Sequence, residues 1–163
     1  MNSVQWVMKS KVGALYLIAS SKGLHGLFWQ KQNVPMVKSL NTNEKGVKIL
    51  AETVRQLEEY FVGKRKNFRL PVDVTGTEFQ RRVWAELSKI PYGETRSYKD
   101  IACALKNEKA VRAVGTANGR NPISIVVPCH RVIGANGTLA GFAGGLTTKA
   151  KLLEHEKRSA LKA

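Results

Sequence analysis

The chain has 163 residues and a mass of 18.0 kDa, the size of one globular domain or of two small ones. Lysine and arginine number 27 against 12 aspartates and glutamates, a formal charge of +15, and 43% of residues are hydrophobic. That is enough apolar material for a core, and it excludes general disorder. No run approaches the roughly 18 apolar residues of a membrane span, and the N-terminus lacks the basic, apolar and cleavage regions of a secretory signal. Cys103 and Cys129 are too few for a disulfide framework or a four-cysteine zinc site. The expectation is a cytoplasmic protein with reduced thiols, no membrane association and an acidic polymer, most simply nucleic acid, as partner. A basic surface that serves only solubility fits the charge equally well.

The first part of the chain reads as strands. Val4, Trp6 and Met8 alternate with Gln5 and Val7, and Leu15, Leu17 and Ala19 alternate with Tyr16 and Ile18. After the turn signal Ser20-Ser21-Lys22-Gly23, Leu24, Gly26 and Phe28 alternate with His25, Leu27 and Trp29. A period of two broken by short turns predicts an antiparallel meander. Residues 31–44 are polar and irregular. Val47, Leu50, Val54, Leu57 and Phe61 recur at helical spacing and predict a helix with one apolar face. Gly63 stops it, and Lys64, Arg65 and Lys66 stand where cations complement a helix C-terminus. Residues 67–76 read as an extended linker. The chain is thereby divided into an N-terminal α/β domain, 1–75, and a mainly helical C-terminal domain, 76–163.

In the second part, Thr77 and Gln80 form a capping box before a helix whose face holds Phe79, Val83, Trp84, Leu87 and Ile90. Pro91-Tyr92-Gly93 ends it. Ser97 caps a short helix lined by Tyr98, Ile101, Ala102 and Leu105, with Cys103 expected on its apolar side. After a tight turn at Lys106, Asn107 is the candidate cap of a third helix carrying Ala110, Val111, Ala113, Val114 and Ala117. Two short helices so joined suggest a helix-turn-helix, although ordinary helical proteins share that spacing. Ile123–Val127 is an apolar, β-branched run that predicts a buried strand stopped by Pro128. Five glycines at 134, 137, 141, 144 and 145 mark a loop whose backbone can approach a ligand closely. Residues 147–160 read as a final helix, with Leu152, Leu153 and His155 among Lys149, Lys151, Lys157 and Arg158.

Chemistry concentrates in Pro128-Cys129-His130-Arg131-Val132. Thiolate is the nucleophilic form of cysteine, cationic neighbours lower a thiol pKa, and a histidine can take its proton. The same pair also reads as a small buried thiol beside a packed imidazole, since adjacent strand residues point to opposite faces. Around this core stand Ile90-Pro91-Tyr92-Gly93, Ser97-Tyr98, Arg112-Ala113-Val114-Gly115, Asn121-Pro122, Gly144-Gly145-Leu146 and His155-Glu156. In that order and company, the chain resembles the O6-alkylguanine-DNA alkyltransferase family, also called methylated-DNA–protein-cysteine methyltransferases. The motifs cover roughly residues 75–156, and the N-terminal part matches by length and strand pattern.

The resemblance implies an N-terminal ribonuclease-H-like antiparallel sheet plus helix, followed by a helical domain with a helix-turn-helix. It implies direct damage reversal: an alkyl group on O6 of guanine moves irreversibly to an internal cysteine, with O4-alkylthymine left open as a second substrate. By that likeness Cys129 is the acceptor, His130 deprotonates it through a water molecule, and Glu156 orients the imidazole. Asn121 braces the helix-turn-helix against the acceptor segment. Because the target base is stacked in a duplex, it must be flipped out. Arg112 would fill the vacated place, with Ala113 on a helix that enters the minor groove. Tyr98 would crowd the target phosphate and donate to the flipped guanine. The Cys129 and Val132 carbonyls would accept from its exocyclic amine, and Arg131 is grouped with the substrate- and DNA-binding residues. Residues 141–145, including Phe142, Ala143 and Gly144, would wall the pocket. Phe142 and Ala143 stand where some members have tyrosine and serine. No cofactor and no metal site are implied. The partner is double-stranded DNA containing O6-alkylguanine, bound by a monomer. The competing readings are a non-catalytic sensor of alkylated DNA, which would lack the acceptor cysteine, a helix-turn-helix regulator, and a cysteine hydrolase, which would turn over.

Overall fold

Three strands, β1 (Val4–Met8), β2 (Leu15–Ser20) and β3 (Gly23–Phe28), form an antiparallel sheet in the order β1-β2-β3 in a computed structural model. The structure describes residues 2–139 and 142–161, and the chain divides into two units, Met1–Thr75 and Gly76–Ala163.

In the first unit, β2 is the middle strand, with Trp6 and Leu27 both opposite Leu17. Its residues are almost all buried, because the sheet is covered on one side by α1 (Lys45–Phe61) and flanked by irregular segments. Val47, Leu50, Leu57 and Phe61 face inward as their spacing predicts, and Tyr60 joins them. Gln5 departs from the simple alternation. It is wholly buried, its amide donates to the Gln32 and Val34 carbonyls at 3.0 and 2.9 Å, and its carbonyl accepts from the Gln32 N–H at 3.0 Å. A satisfied buried amide costs little, and this one pins the polar segment after β3 to β1. The expected linker is likewise not free. The Leu24 N–H donates to the Pro71 carbonyl at 2.8 Å and Asp73 N–H to the Leu24 carbonyl at 2.9 Å, so part of it lies along β3.

The second unit begins at α2 (Glu78–Leu87), whose capping box from Thr77 and Gln80 is formed as predicted. A second box, Ser97 with Asp100, starts α3 (Tyr98–Ala104). The end of α3 is a Schellman motif. Lys106 adopts φ +58, its N–H reaches the Cys103 carbonyl at 2.9 Å, and the Asn107 N–H reaches the Ala102 carbonyl at 3.0 Å. Asn107 makes no side-chain cap; a 3-10 turn, Glu108–Ala110, leads instead into α4 (Val111–Gly119). Helices α3 and α4 form the helix-turn-helix. Trp84 on α2 buries its indole and donates to the Ala117 carbonyl at 2.8 Å. Ala117 therefore faces inward, whereas Arg112 and Ala113 face out. Two-residue strands β4 (Arg96–Ser97) and β5 (Val132–Ile133) pair in parallel, and α5 (Leu146–Leu161) closes the unit.

Two expectations are corrected here. Ile123–Val127 is a tight turn rather than a strand, with Ile125 at φ +74. Cys103 is exposed rather than in the core, because Ile101, Ala102 and Leu105 supply the buried face of the short helix.

Candidate active site

The turn that takes the place of the expected strand leads into Cys129. Asn121 supplies the bonds that a sheet ladder would have supplied. Its Nδ2 donates to the Val127 carbonyl at 2.8 Å, and its Oδ1 accepts from the Ile123 N–H at 3.1 Å. Ile125 is held in the left-handed region, which costs an L-residue about 1–2 kcal/mol. The chain then enters a single 3-10 turn, Cys129–Arg131. Only 1% of Cys129 is exposed, and its sulfur lies 3.9 Å from Ser124 Oγ. Burial pushes the thiol pKa up, while hydrogen bonds with Asn121 and Ser124 and the charge of Lys149 offset part of that rise.

The same 3-10 turn aims His130 and Arg131 at one carboxylate. His130 Nε2 lies 2.6 Å from Glu156 Oε2. Arg131 Nε and Nη2 donate to Glu156 at 2.8 and 3.1 Å, and its Nη1 donates to the Ile90 carbonyl at 2.7 Å. The Gly93 N–H approaches Glu156 Oε1 at 3.5 Å. Gly93 sits at φ +81, and a Cβ there would lie 3.0 Å from Ala160 Cβ, so the turn requires glycine. Burial would raise the Glu156 carboxyl, but His130 and Arg131 outweigh it and hold the group well below the usual carboxylate range. For His130 burial prevails over the pull of Glu156, and its pKa falls below the ordinary value. The resting site is thus a neutral thiol, a neutral imidazole, a carboxylate and a guanidinium. With Nε2–H given to Glu156, Nδ1 carries the lone pair. It is buried and has no hydrogen-bond partner among the described residues, the state of a general base.

Tyr98 opens α3 half-buried. A Cβ on Gly115 of α4 would lie 3.8 Å from its ring. Burial raises the phenol pKa, Cys129 adds to this when it is a thiolate, and a hydrogen bond with Asn118 opposes it. Arg112 and Ala113 lie on the exposed face of α4. Val132 is fully buried, directly after the Cys-His-Arg turn. Phe142 is buried with its ring edge-on to His130, 6.5 Å between centres. Ala143 is exposed and Gly144 half-buried, while Gly141 of the expected pocket wall lies outside the described residues.

Arg131 corrects the sequence reading. Its side chain is 5% exposed and committed to Glu156 and the Ile90 carbonyl, so it is a structural ion-pair partner and presents no charge to a DNA surface. Lys149 was missed. Named in the sequence only as one of the basic residues of the last helix, it is fully buried, donates from Nζ to the Val132 carbonyl oxygen, and lies 5.8 Å from the centre of the Tyr98 ring. Burial lowers its pKa to about 8 against the pull of Cys129. The signal was in the spacing: Lys149, Leu152 and Glu156 share the buried face of α5. Asn118, 1% exposed, donates from Nδ2 to the Cys129 carbonyl at 3.3 Å and was also missed.

Comparison with known proteins fits this arrangement. The family model for the 6-O-methylguanine DNA methyltransferase ribonuclease-like domain matches residues 4–74, and that for the DNA binding domain of the same family matches residues 78–158. The chain is 44% identical over 155 residues to a methylated-DNA–protein-cysteine methyltransferase of Methanosarcina barkeri, covering 94% of this chain and 96% of that one. It is 57% identical over 120 residues to the constitutive protein of that name from Bacillus subtilis, covering 73% of each. Among solved structures, the Mycobacterium tuberculosis O6-methylguanine methyltransferase superposes with a TM-score of 0.84 at 40% identity, over 96% of this chain and 94% of that one. The M. tuberculosis protein in complex with DNA also gives 0.84, at 41% identity and the same coverage. A helix-turn-helix in one unit with a buried cysteine, next in sequence to a histidine paired with a glutamate, fits a DNA-binding protein that uses a thiol. Within that class, the chain belongs to the 6-O-methylguanine DNA methyltransferase family.

Proposed function

We infer that this protein repairs alkylated DNA by direct reversal, moving an alkyl group from the base to its own Cys129, as a methylated-DNA–protein-cysteine methyltransferase. The observation that carries the reading is a fully buried cysteine followed in sequence by a buried histidine whose Nε2 is held by Glu156 at 2.6 Å and whose Nδ1 has no partner among the described residues. The substrate is O6-alkylguanine in duplex DNA, and the acting species is a single copy of the chain.

The thiol proton passes through a water molecule to His130 Nδ1, and Glu156 stabilises the imidazolium that forms. The thiolate sulfur attacks the alkyl carbon in line with its bond to O6. The S–C bond forms as the C–O bond breaks, and the electron pair leaves with the guanine, which is then protonated. Lys149 and the Tyr98 O–H oppose the negative charge that builds on the departing base. Arg112 enters the duplex in place of the flipped nucleotide, and Ala113 lets α4 lie close in the minor groove. The Cys129 and Val132 carbonyls each have two lone pairs, so Lys149 or Asn118 can occupy one while the guanine amine takes the other. Phe142, Ala143 and Gly144 flank the alkyl group. A thioether offers no leaving group, so each molecule reacts once. A sensor needs no acceptor, and a hydrolase would regenerate the thiol.

Intact-mass analysis after incubation with methylated duplex tests this. One gain of about 14 Da per chain, mapped to Cys129, is expected, as a methyl replaces the thiol proton. Cys129→Ala keeps affinity for the methylated duplex and gains no mass. Repeated turnover, or a label elsewhere, overturns the reading.

A further inference from the structure

The hydrogen bonds of Arg131 divide between two tasks. Its Nη1 donates to the Ile90 carbonyl at 2.7 Å, which fixes the guanidinium plane. Its Nε and Nη2 then meet the two oxygens of Glu156, Oε1 at 2.8 Å and Oε2 at 3.1 Å. Oε2 is also the oxygen 2.6 Å from His130 Nε2. One carboxylate thus serves a guanidinium and an imidazole at once, and all three side chains are buried. Glu156 supplies a single negative charge, and the guanidinium, charged at every working pH, takes it. A second cation at His130 would leave the buried trio net positive. Burial disfavours that cation first, and Arg131 and Lys149 then repel it, against the pull of Glu156. The other groups nearby do not compensate. The Cys129 thiol is neutral at rest, the Phe142 ring meets the imidazole edge-on, and the Tyr92 ring is centred 5.6 Å from the guanidinium carbon. Without Arg131, Glu156 would have only His130 as a partner cation at hydrogen-bond distance, and a carboxylate so placed favours the imidazolium.

We propose that Arg131 is a positioning residue for proton transfer: by engaging both oxygens of Glu156 it keeps His130 neutral at rest, with Nδ1 open to the proton of the acceptor thiol. The inference rests on the roles given to Cys129 and His130 under Proposed function. Glu156 still orients the ring through Nε2, but its charge is already shared with the guanidinium. The imidazolium is then favoured only while the thiolate supplies a further counter-charge, so proton transfer is tied to the moment of attack. A histidine paired with Glu156 alone would hold its proton at rest and would have no lone pair to accept another.

The test is the pH dependence of transfer. Arg131→Met keeps a long side chain and removes the charge. Its single-turnover rate with free O6-benzylguanine, which needs no DNA contact, is divided by the wild-type rate at each pH from about 6 to about 9. The division removes the titration of Lys149, whose pKa is lowered to about 8 in the wild-type protein. The ratio is expected to be roughly one tenth or less at the acid end and to recover to within about two-fold at the alkaline end, because His130 left alone with Glu156 titrates about one to two pH units higher. A merely structural arginine would lower the ratio by the same factor at every pH. A ratio that is flat, or that stays near one throughout, overturns the proposal. Ring 15N shifts in histidine-labelled protein read the state of His130 directly, with His25→Gln and His155→Gln variants identifying the other two signals. Wild-type His130 is expected to be neutral at pH 7 with its proton on Nε2, and an imidazolium there overturns the proposal without any change to Arg131. If the methionine protein does not fold, Arg131→Lys, which keeps the charge but cannot span both oxygens, must raise the His130 titration by a smaller amount, and no rise overturns the proposal. A label found away from Cys129 after incubation with methylated duplex overturns the underlying reading. A label at Cys129 with a flat ratio overturns the inference alone.

Discussion

At the residue scale, Glu156 is the hinge of the site. It holds His130 in the tautomer that leaves Nδ1 open and neutralises a guanidinium that would otherwise be buried without a counter-charge. Removing one partner of a buried pair typically costs about 3–5 kcal/mol. Glu156→Gln keeps the shape and loses the charge, so it is expected to destabilise by roughly 3 kcal/mol and to slow transfer by about 10²-fold or more, read by urea unfolding and by single-turnover rates. The pH dependence follows from the sign of the shift. The folded carboxyl is depressed below its unfolded value of 4.5, so its contribution is full above that pH. It shrinks as acid protonates the unfolded state preferentially, and it is gone once the folded group is protonated too. The stability gap between wild-type and Glu156→Gln proteins should therefore narrow from pH 7 to pH 3. If the gap stays constant, the ion pair is not its source. The sequence displayed Cys129 and His130 plainly, because a thiol next to an imidazole is chemically distinctive. It concealed Lys149 and Arg131, because a cation looks the same on paper whether it faces water or a carbonyl. Only the shared helical face with Leu152 and Glu156 hints that Lys149 turns inward.

At the element scale, period and caps were readable while the acceptor segment was not. The capping boxes at Thr77 and Ser97 involve neighbours three residues apart, so they are local and leave a local signature. Ile123–Val127 has the composition of a strand. Asn121, however, binds the backbone at Ile123 and Val127 within one turn, a tertiary solution that overrides β-propensity. The same limit explains the linker, whose pairing with Leu24 spans distant parts of the chain. The turn between α3 and α4 offers a direct test. Lys106 occupies the left-handed position of the Schellman motif, at φ +58, where glycine is usual. Lys106→Gly should stabilise the protein by about 0.5–1 kcal/mol in urea unfolding through relief of backbone strain. A loss of stability would mean that the lysine side chain contributes more than its backbone costs.

At the scale of the whole molecule, 27 basic residues against 12 acidic ones should appear as salt dependence. If about four phosphates are neutralised, DNA affinity falls roughly a hundred-fold between 50 and 200 mM salt, as condensed counterions are released. A flat response in fluorescence anisotropy would show that the charge is not spent on DNA. The two thiols of the chain also live in opposite environments, Cys103 in solvent and Cys129 sealed inside the second unit. Bulky maleimide added to the native protein therefore tags the wrong sulfur: the count is one until a denaturant is present, and a tagged sample remains competent. Stored in air, the protein is prone to form Cys103-linked covalent pairs on a non-reducing gel, which Cys103→Ser would abolish. The shelf life of a preparation and its repair capacity are governed by different atoms.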